Sequence, residues 1–105
     1  MTDKLLVLTT AGSEAEANKI AQALVERRLA ACVNIIPRVQ SVYRWKDKVE
    51  RSEEFLLFIK SKRTLEEELA AAIRELHSYE LPEHVALAIE NGSEAYLQWI
   101  DDSVI

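Results

Sequence analysis

The chain is short of the residues that would announce most special chemistries. Its single cysteine, Cys32, allows no intrachain disulfide, which excludes a disulfide-stapled secreted scaffold. Two glycines, Gly12 and Gly92, are too few for a glycine-rich phosphate loop. Basic residues are in deficit: 13 Lys plus Arg stand against 18 Asp plus Glu, a net charge of -5. Nucleic acid and anionic membrane surfaces both call for a basic face, so neither is an expected partner. No apolar stretch nears the length of a membrane span. The run Leu5–Leu8 is too short for a signal-peptide core, and a cytoplasmic location is expected.

What is present suits one domain over residues 1–105. Hydrophobic residues make up 49% of the chain, enough for a single core at this length. Leu5 to Leu8 reads as a first, buried strand. Ser13 with Glu16 is a capping-box pattern, and Ala17, Ile20, Ala21 and Leu24 follow at helical spacing to about Arg28. "ACVNIIPRVQSVYRW" reads as a long second strand interrupted near Pro37, which belongs on an edge or at a bulge. "KDK" at 46–48 is the expected hairpin turn, and "EEFLLFIKSK" the third strand. Thr64 with Glu67 suggests a second capping box before the stripe Leu65, Leu69, Ala72, Ile73 and Leu76. "HVALAI" is a fourth strand, and Ser93 caps a final helix through Tyr96, Leu97 and Ile100. The order β-α-β-β-α-β plus a helix is the α+β, ferredoxin-like split βαβ arrangement with an antiparallel sheet.

That arrangement puts both main helices on one face of the sheet and leaves the other open. Yet the first and third strands are apolar on both sides: Leu5 and Val7 oppose Leu6 and Leu8, and Leu57 and Ile59 oppose Leu56 and Phe58. An oligomer whose sheets bury one another is the simplest account; a final helix folded over that face is the other. Val42, Tyr43 and Trp45 sit beside the hairpin tip and are large for solvated positions, so Tyr43 and Trp45 are expected interface anchors.

Chemistry is thinner. His77 and His84 are seven positions apart with Pro82 between them, and no CxxC, HxH or HExxH occurs. His77 falls at a helix C-terminus, where a cation meets the negative end of the dipole. Cys32 lies in "LAACVNII", an apolar setting expected to bury the thiol and leave it inert. The loop after the first strand, "TTAGSEAE", is acidic, unlike the basic cradle of an acylphosphatase. "SEEFLLFIK" lacks the glycine-aromatic signature of an RNA-recognition strand.

"ERRLAACVNIIP", "SVYRW", "LLFIKSK", "ELHSYELPE" and "YLQWI", in that order, resemble the CutA divalent-cation-tolerance family over essentially the whole chain. The resemblance implies a ferredoxin-like homotrimer linked to copper and other divalent-ion tolerance, without established enzymatic activity. Some bacterial members bind copper through a cysteine at the end of the first strand and a histidine pair before a tyrosine. Here Thr9 and Leu76-His77 occupy those positions, so His77 alone carries over as a metal ligand. The expectation is weak binding of Cu²⁺ or another divalent cation, not required for folding. The alternative is a PII-like trimer sensing a small effector in clefts between subunits.

Overall fold

The apolar run expected as the first strand extends from Lys4 to Ala11 (β1) in the computed structural model, which describes residues 2–105. It is followed by α1 (Glu14–Glu26), β2 (Cys32–Trp45), β3 (Lys48–Lys62), α2 (Glu66–Leu76), β4 (Val85–Ala88) and α3 (Glu94–Ser103). The strands form one sheet in the order β2-β3-β1-β4, with every neighbouring pair antiparallel. This is the ferredoxin-like α+β fold that the order of elements predicts.

Alternation along the strands builds the core. Leu5 and Val7 of β1 and Leu57 and Ile59 of β3 share a cluster with Ile20 and Leu24 of α1 and Leu69 and Ile73 of α2. Each such buried side chain contributes about 1.5–3 kcal/mol. Helix α1 starts as expected: the Glu16 backbone N–H donates to Ser13 Oγ at 3.1 Å. It stops at Arg27, with Arg28 at φ 58° in the left-handed region that ends helices. Ser93 likewise caps α3, accepting from the Tyr96 N–H at 3.2 Å. The second capping box does not form. Arg63–Leu65 make a 3₁₀ turn, and α2 follows it from Leu65 with no side-chain cap.

The second strand is interrupted where proline suggested. The β2–β3 register runs from Cys32↔Lys60 to Ile36↔Leu56 and resumes at Val39↔Glu54, so Pro37 and Arg38 together oppose Phe55. Arg38 sits at φ 62°, and the pair forms a β-bulge on an edge strand. Because β1 pairs with β3 only over 55–62, residues 39–54 leave the sheet as a two-stranded arm. The chain is correspondingly long, 44 × 25 × 23 Å. At the tip Lys46 and Asp47 both adopt positive φ, 50° and 66°, the conformation of a two-residue hairpin turn.

The face away from the core collects Leu6 and Leu8, Leu56 and Phe58, and Val85 and Leu87 opposite β1. On β2 the pairing adds Ile36 before the bulge and Val39, Tyr43 and Trp45 after it. Helix α3 secures one end, where Lys4 and Lys62 reach Asp101 at 3.3 and 3.4 Å and Lys60 donates to Tyr96 Oη at 3.2 Å. The edge strand β4 stays uncovered, with Val85 44% and Leu87 47% exposed, and Leu6, Leu8, Leu56 and Phe58 on the two central strands are only partly buried. Cys32 also lies on this side. Against expectation its thiol is half-buried, pointing to Asn34 Oδ1 at 3.7 Å. The reason is alternation: Val33 and Ile35 take the core side.

Candidate functional site

The densest polar constellation gathers where β1 ends, around the segment between α2 and β4. His77 is the C-cap of α2, its N–H bonded to the Ile73 carbonyl at 3.0 Å and its own backbone extended (φ -90°, ψ 143°). That turn out of the helix sends the imidazole inward, where its side chain is 0% exposed. Nε2 lies 2.5 Å from the Thr10 carbonyl oxygen, and the Tyr79 backbone N–H donates to Nδ1 at 3.2 Å. A carbonyl only accepts and an amide N–H only donates, so the network assigns the ring proton to Nε2. Glu16 Oε1 stands 3.2 Å from Nδ1 and has no hydrogen-bond partner among the described residues.

Tyr79 links this histidine to the arm. Its ring is tilted against the imidazole at 4.6 Å between centroids. Its hydroxyl donates to Glu54 Oε2 at 2.6 Å. Gly12 makes room, since a Cβ there would lie 3.0 Å from Tyr79 Oη. Burial first, and then the Glu54 carboxylate, push the phenol well above its usual range, so it stays a donor. Glu54 is only 6% exposed and pairs with Val39 on the first rung of the arm. Burial, helped by the Glu54 charge, holds the Glu83 carboxyl above its usual range.

His77 is thus brought together with Glu16, Tyr79 and, through Tyr79, Glu54. Tyr43 and Trp45 lie further out along the arm, 43% and 36% exposed, on the same side as Glu54. Ser52 Oγ donates to Tyr43 Oη at 3.4 Å, and Lys46 Nζ sits 5.8 Å from the centre of the Trp45 ring. Glu16 and Glu54 escaped the sequence reading. Capping explains a glutamate at position 16, although only its N–H takes part, donating to Ser13 Oγ. Glu54 carried a signal: a carboxylate two positions before Leu56, on the side of the strand that Leu56 and Phe58 occupy. His84 is separate, its ring nitrogens buried without hydrogen-bond partners among the described residues and Nε2 3.9 Å from Glu66 Oε2.

A copper or zinc ion needs three or four converging ligands. Among the described residues no group of three His, Cys, Asp or Glu is placed to supply them. Both nitrogens of His77 are already bonded, and Thr9 is fully buried with Oγ1 unpartnered among the described residues. Within one chain this donor set does not fit a closed metal site.

Residues 5–103 match the family model described as CutA1 divalent ion tolerance protein. The chain belongs to the CutA family. The divalent-cation tolerance protein CutA of Thermus thermophilus is 45% identical over 98 residues, covering 93% of this chain and 95% of the relative. A solved structure of the Thermus thermophilus protein superposes with a TM-score of 0.94 at 44% identity, over 96% of this chain and 98% of that one. Human protein CutA is 46% identical over 91 residues, which is 87% of this chain and 51% of the relative. The chain therefore spans about half the length of the human relative. The CutA structure from Archaeoglobus fulgidus, described as periplasmic, superposes with a TM-score of 0.94 at 37% identity, over 97% of this chain and 99% of that one. Among the described residues of this chain, no helix is long and apolar enough to cross a membrane.

Proposed function

We propose that this CutA chain acts as a homotrimer in the response to divalent metal ions, copper among them, without catalysis. The observation that carries the reading is the uncovered apolar face, prolonged by an arm whose strands have no third neighbour. A lone two-stranded hairpin is marginal in water. This one presents Tyr43 and Trp45 on the same side as Val85 and Leu87. Copies that cover each other's open faces satisfy both features, and three copies is the number the family resemblance implies. Ion contact on this reading is weak and shared between subunits, because His77 is held inside its own chain. The family's description by ion tolerance, and not by a reaction, supports a non-catalytic role. The single unpaired thiol of Cys32 suits a reducing compartment, and we place the protein in the cytoplasm.

Light scattering tests the assembly. A mass of three chains is expected, and a mass near 12.0 kDa at micromolar concentration would overturn it. Titration calorimetry with Cu²⁺ tests the ion contact. A dissociation constant weaker than about 1 μM is expected, with less than a tenfold change in His77→Ala. Sub-nanomolar affinity, or dissociation of the assembly by chelator, would show a closed site that this reading denies.

A further inference from the structure

The arm leaves the sheet at one rung, Val39↔Glu54, and both strands are specially built there. On β2 the rung follows the Pro37–Arg38 bulge, in which Arg38 holds φ 62°, an uncommon conformation for a residue with a Cβ. Bulges bend and twist the strand that carries them, and backbone outliers of this kind persist where the surroundings impose them. On β3 the rung is Glu54, a carboxylate almost wholly buried and bonded to the Tyr79 hydroxyl. Tyr79 rests on Gly12 and on the His77 ring, and His77 donates to the Thr10 carbonyl. A continuous set of contacts therefore runs from the end of β1 and the C-terminus of α2 to the base of the arm. Beyond that rung no third strand sets the arm's direction.

We propose that the Pro37–Arg38 bulge and the Tyr79–Glu54 hydrogen bond together aim the arm for self-association, and so couple the segment between α2 and β4 to assembly. The inference rests on the homotrimer reading and deepens it. Tyr79 and Arg38 are positioning residues: neither needs to touch the neighbouring copy. Tyr79 acts by holding a buried carboxylate that would otherwise lack a side-chain donor among the described residues, and Arg38 by its backbone alone.

Three variants test this. Tyr79→Phe deletes only the hydroxyl and leaves the ring on Gly12 and His77. Deletion of Arg38 removes the bulge. Arg38→Gly keeps the bulge with a residue that favours positive φ. Sedimentation over a dilution series should show assembly weakened roughly tenfold or more by Tyr79→Phe, the usual effect of leaving a buried charge without its donor. The Arg38 deletion should also weaken it, whereas Arg38→Gly should match the wild type. Glu54→Gln, which can still accept from Tyr79, should rescue most of the loss that Glu54→Ala causes. Spin labels at Lys46→Cys and Glu26→Cys, in a Cys32→Ser background diluted with unlabelled chains, read the arm's angle directly. Circular dichroism confirms that each variant is folded. Tyr79→Phe and the deletion should shift or broaden the label distance, a change that mere loss of stability would not cause. If both assemble like the wild type with an unaltered distance, the positioning inference fails while the homotrimer stands. If the wild type itself sediments as one chain, the homotrimer reading fails, and this inference with it.

Discussion

Ile59 and Val49 are β-branched residues of the same strand with opposite fates. Ile59, opposite β1 on the helix side, is completely buried, whereas Val49, out on the arm, is 66% exposed. The apolar pattern is dense at Phe55–Ile59 and sparse at Lys48–Ser52, where the strand lies outside the stretch its sequence suggests, and the company differs as well. The body of β3 lies between β2 and β1 and beneath two helices, while the arm has only β2. On the helix side of the body, Ile59 and its neighbours Val7, Leu57, Ile20 and Leu69 find their partners inside the chain. In the arm and on the open face, Tyr43, Trp45, Val85 and Leu87 keep their apolar surface for something else. The same hydrophobic effect therefore folds one region and leaves the other ready to associate.

The comparison breaks most severely in the body. Ile59→Ala should cost about 2–5 kcal/mol, the range for a cavity in a packed core, and should lower chain stability and assembly together. Chemical denaturation measures it, and a cost below about 1 kcal/mol would mean that the core is looser than the burial indicates. On the other side of the comparison, Trp45→Ala should cost assembly about 2 kcal/mol or more while the far-ultraviolet spectrum of the chain stays unchanged. If the variant remains fully associated at high dilution, Trp45 is no anchor and the arm's apolar side has another purpose.

Two smaller effects sharpen the contrast. Thr9 lies in the body with a buried hydroxyl that has no hydrogen-bond partner among the described residues. Thr9→Val exchanges that group for a methyl of similar shape and should stabilise by about 1 kcal/mol. A loss of stability in denaturant titration would reveal a partner for the hydroxyl, such as a buried water. Glu83 sits near the border, its carboxyl raised by burial and by Glu54. A raised acid favours protonation in the folded chain. Its stabilising effect is present at low pH and fades as pH rises from 4.5 through the raised value. Glu83→Gln should flatten that slope and slightly stabilise the protein at neutral pH, an effect kept small because the carboxyl is only partly withdrawn from solvent. A steeper slope in the variant would assign the pH dependence to another group.

Much of this was written in local pattern. Alternation and helical spacing set the order of elements, Ser13 and Ser93 marked helix starts, and Pro37 marked the break in β2, because each depends on residues close in sequence. The doubly apolar β1 and β3 announced an open face without naming what covers it. The second helix start departs from its capping pattern, since Thr64 lies in a 3₁₀ turn that an isolated capping pattern cannot foresee. The site was legible only at its centre. His77 and Tyr79 stood out together, but Gly12, Glu16 and Glu54 reach them from other elements, Glu54 lying 25 positions before the Tyr79 it bonds. Tertiary structure alone decided which way the arm's side chains face. Strict alternation from Ile36 would send Arg38, Gln40, Val42 and Arg44 to the open side and Tyr43 and Trp45 to the other. The bulge adds one residue to β2, pairing with β3 restarts at Val39, and Tyr43 and Trp45 come round to join Leu56 and Phe58. Facing is a property of the ladder, because each side chain takes the side of its cross-strand partner, and Pro37 marks the break in β2 without fixing where that partner begins again.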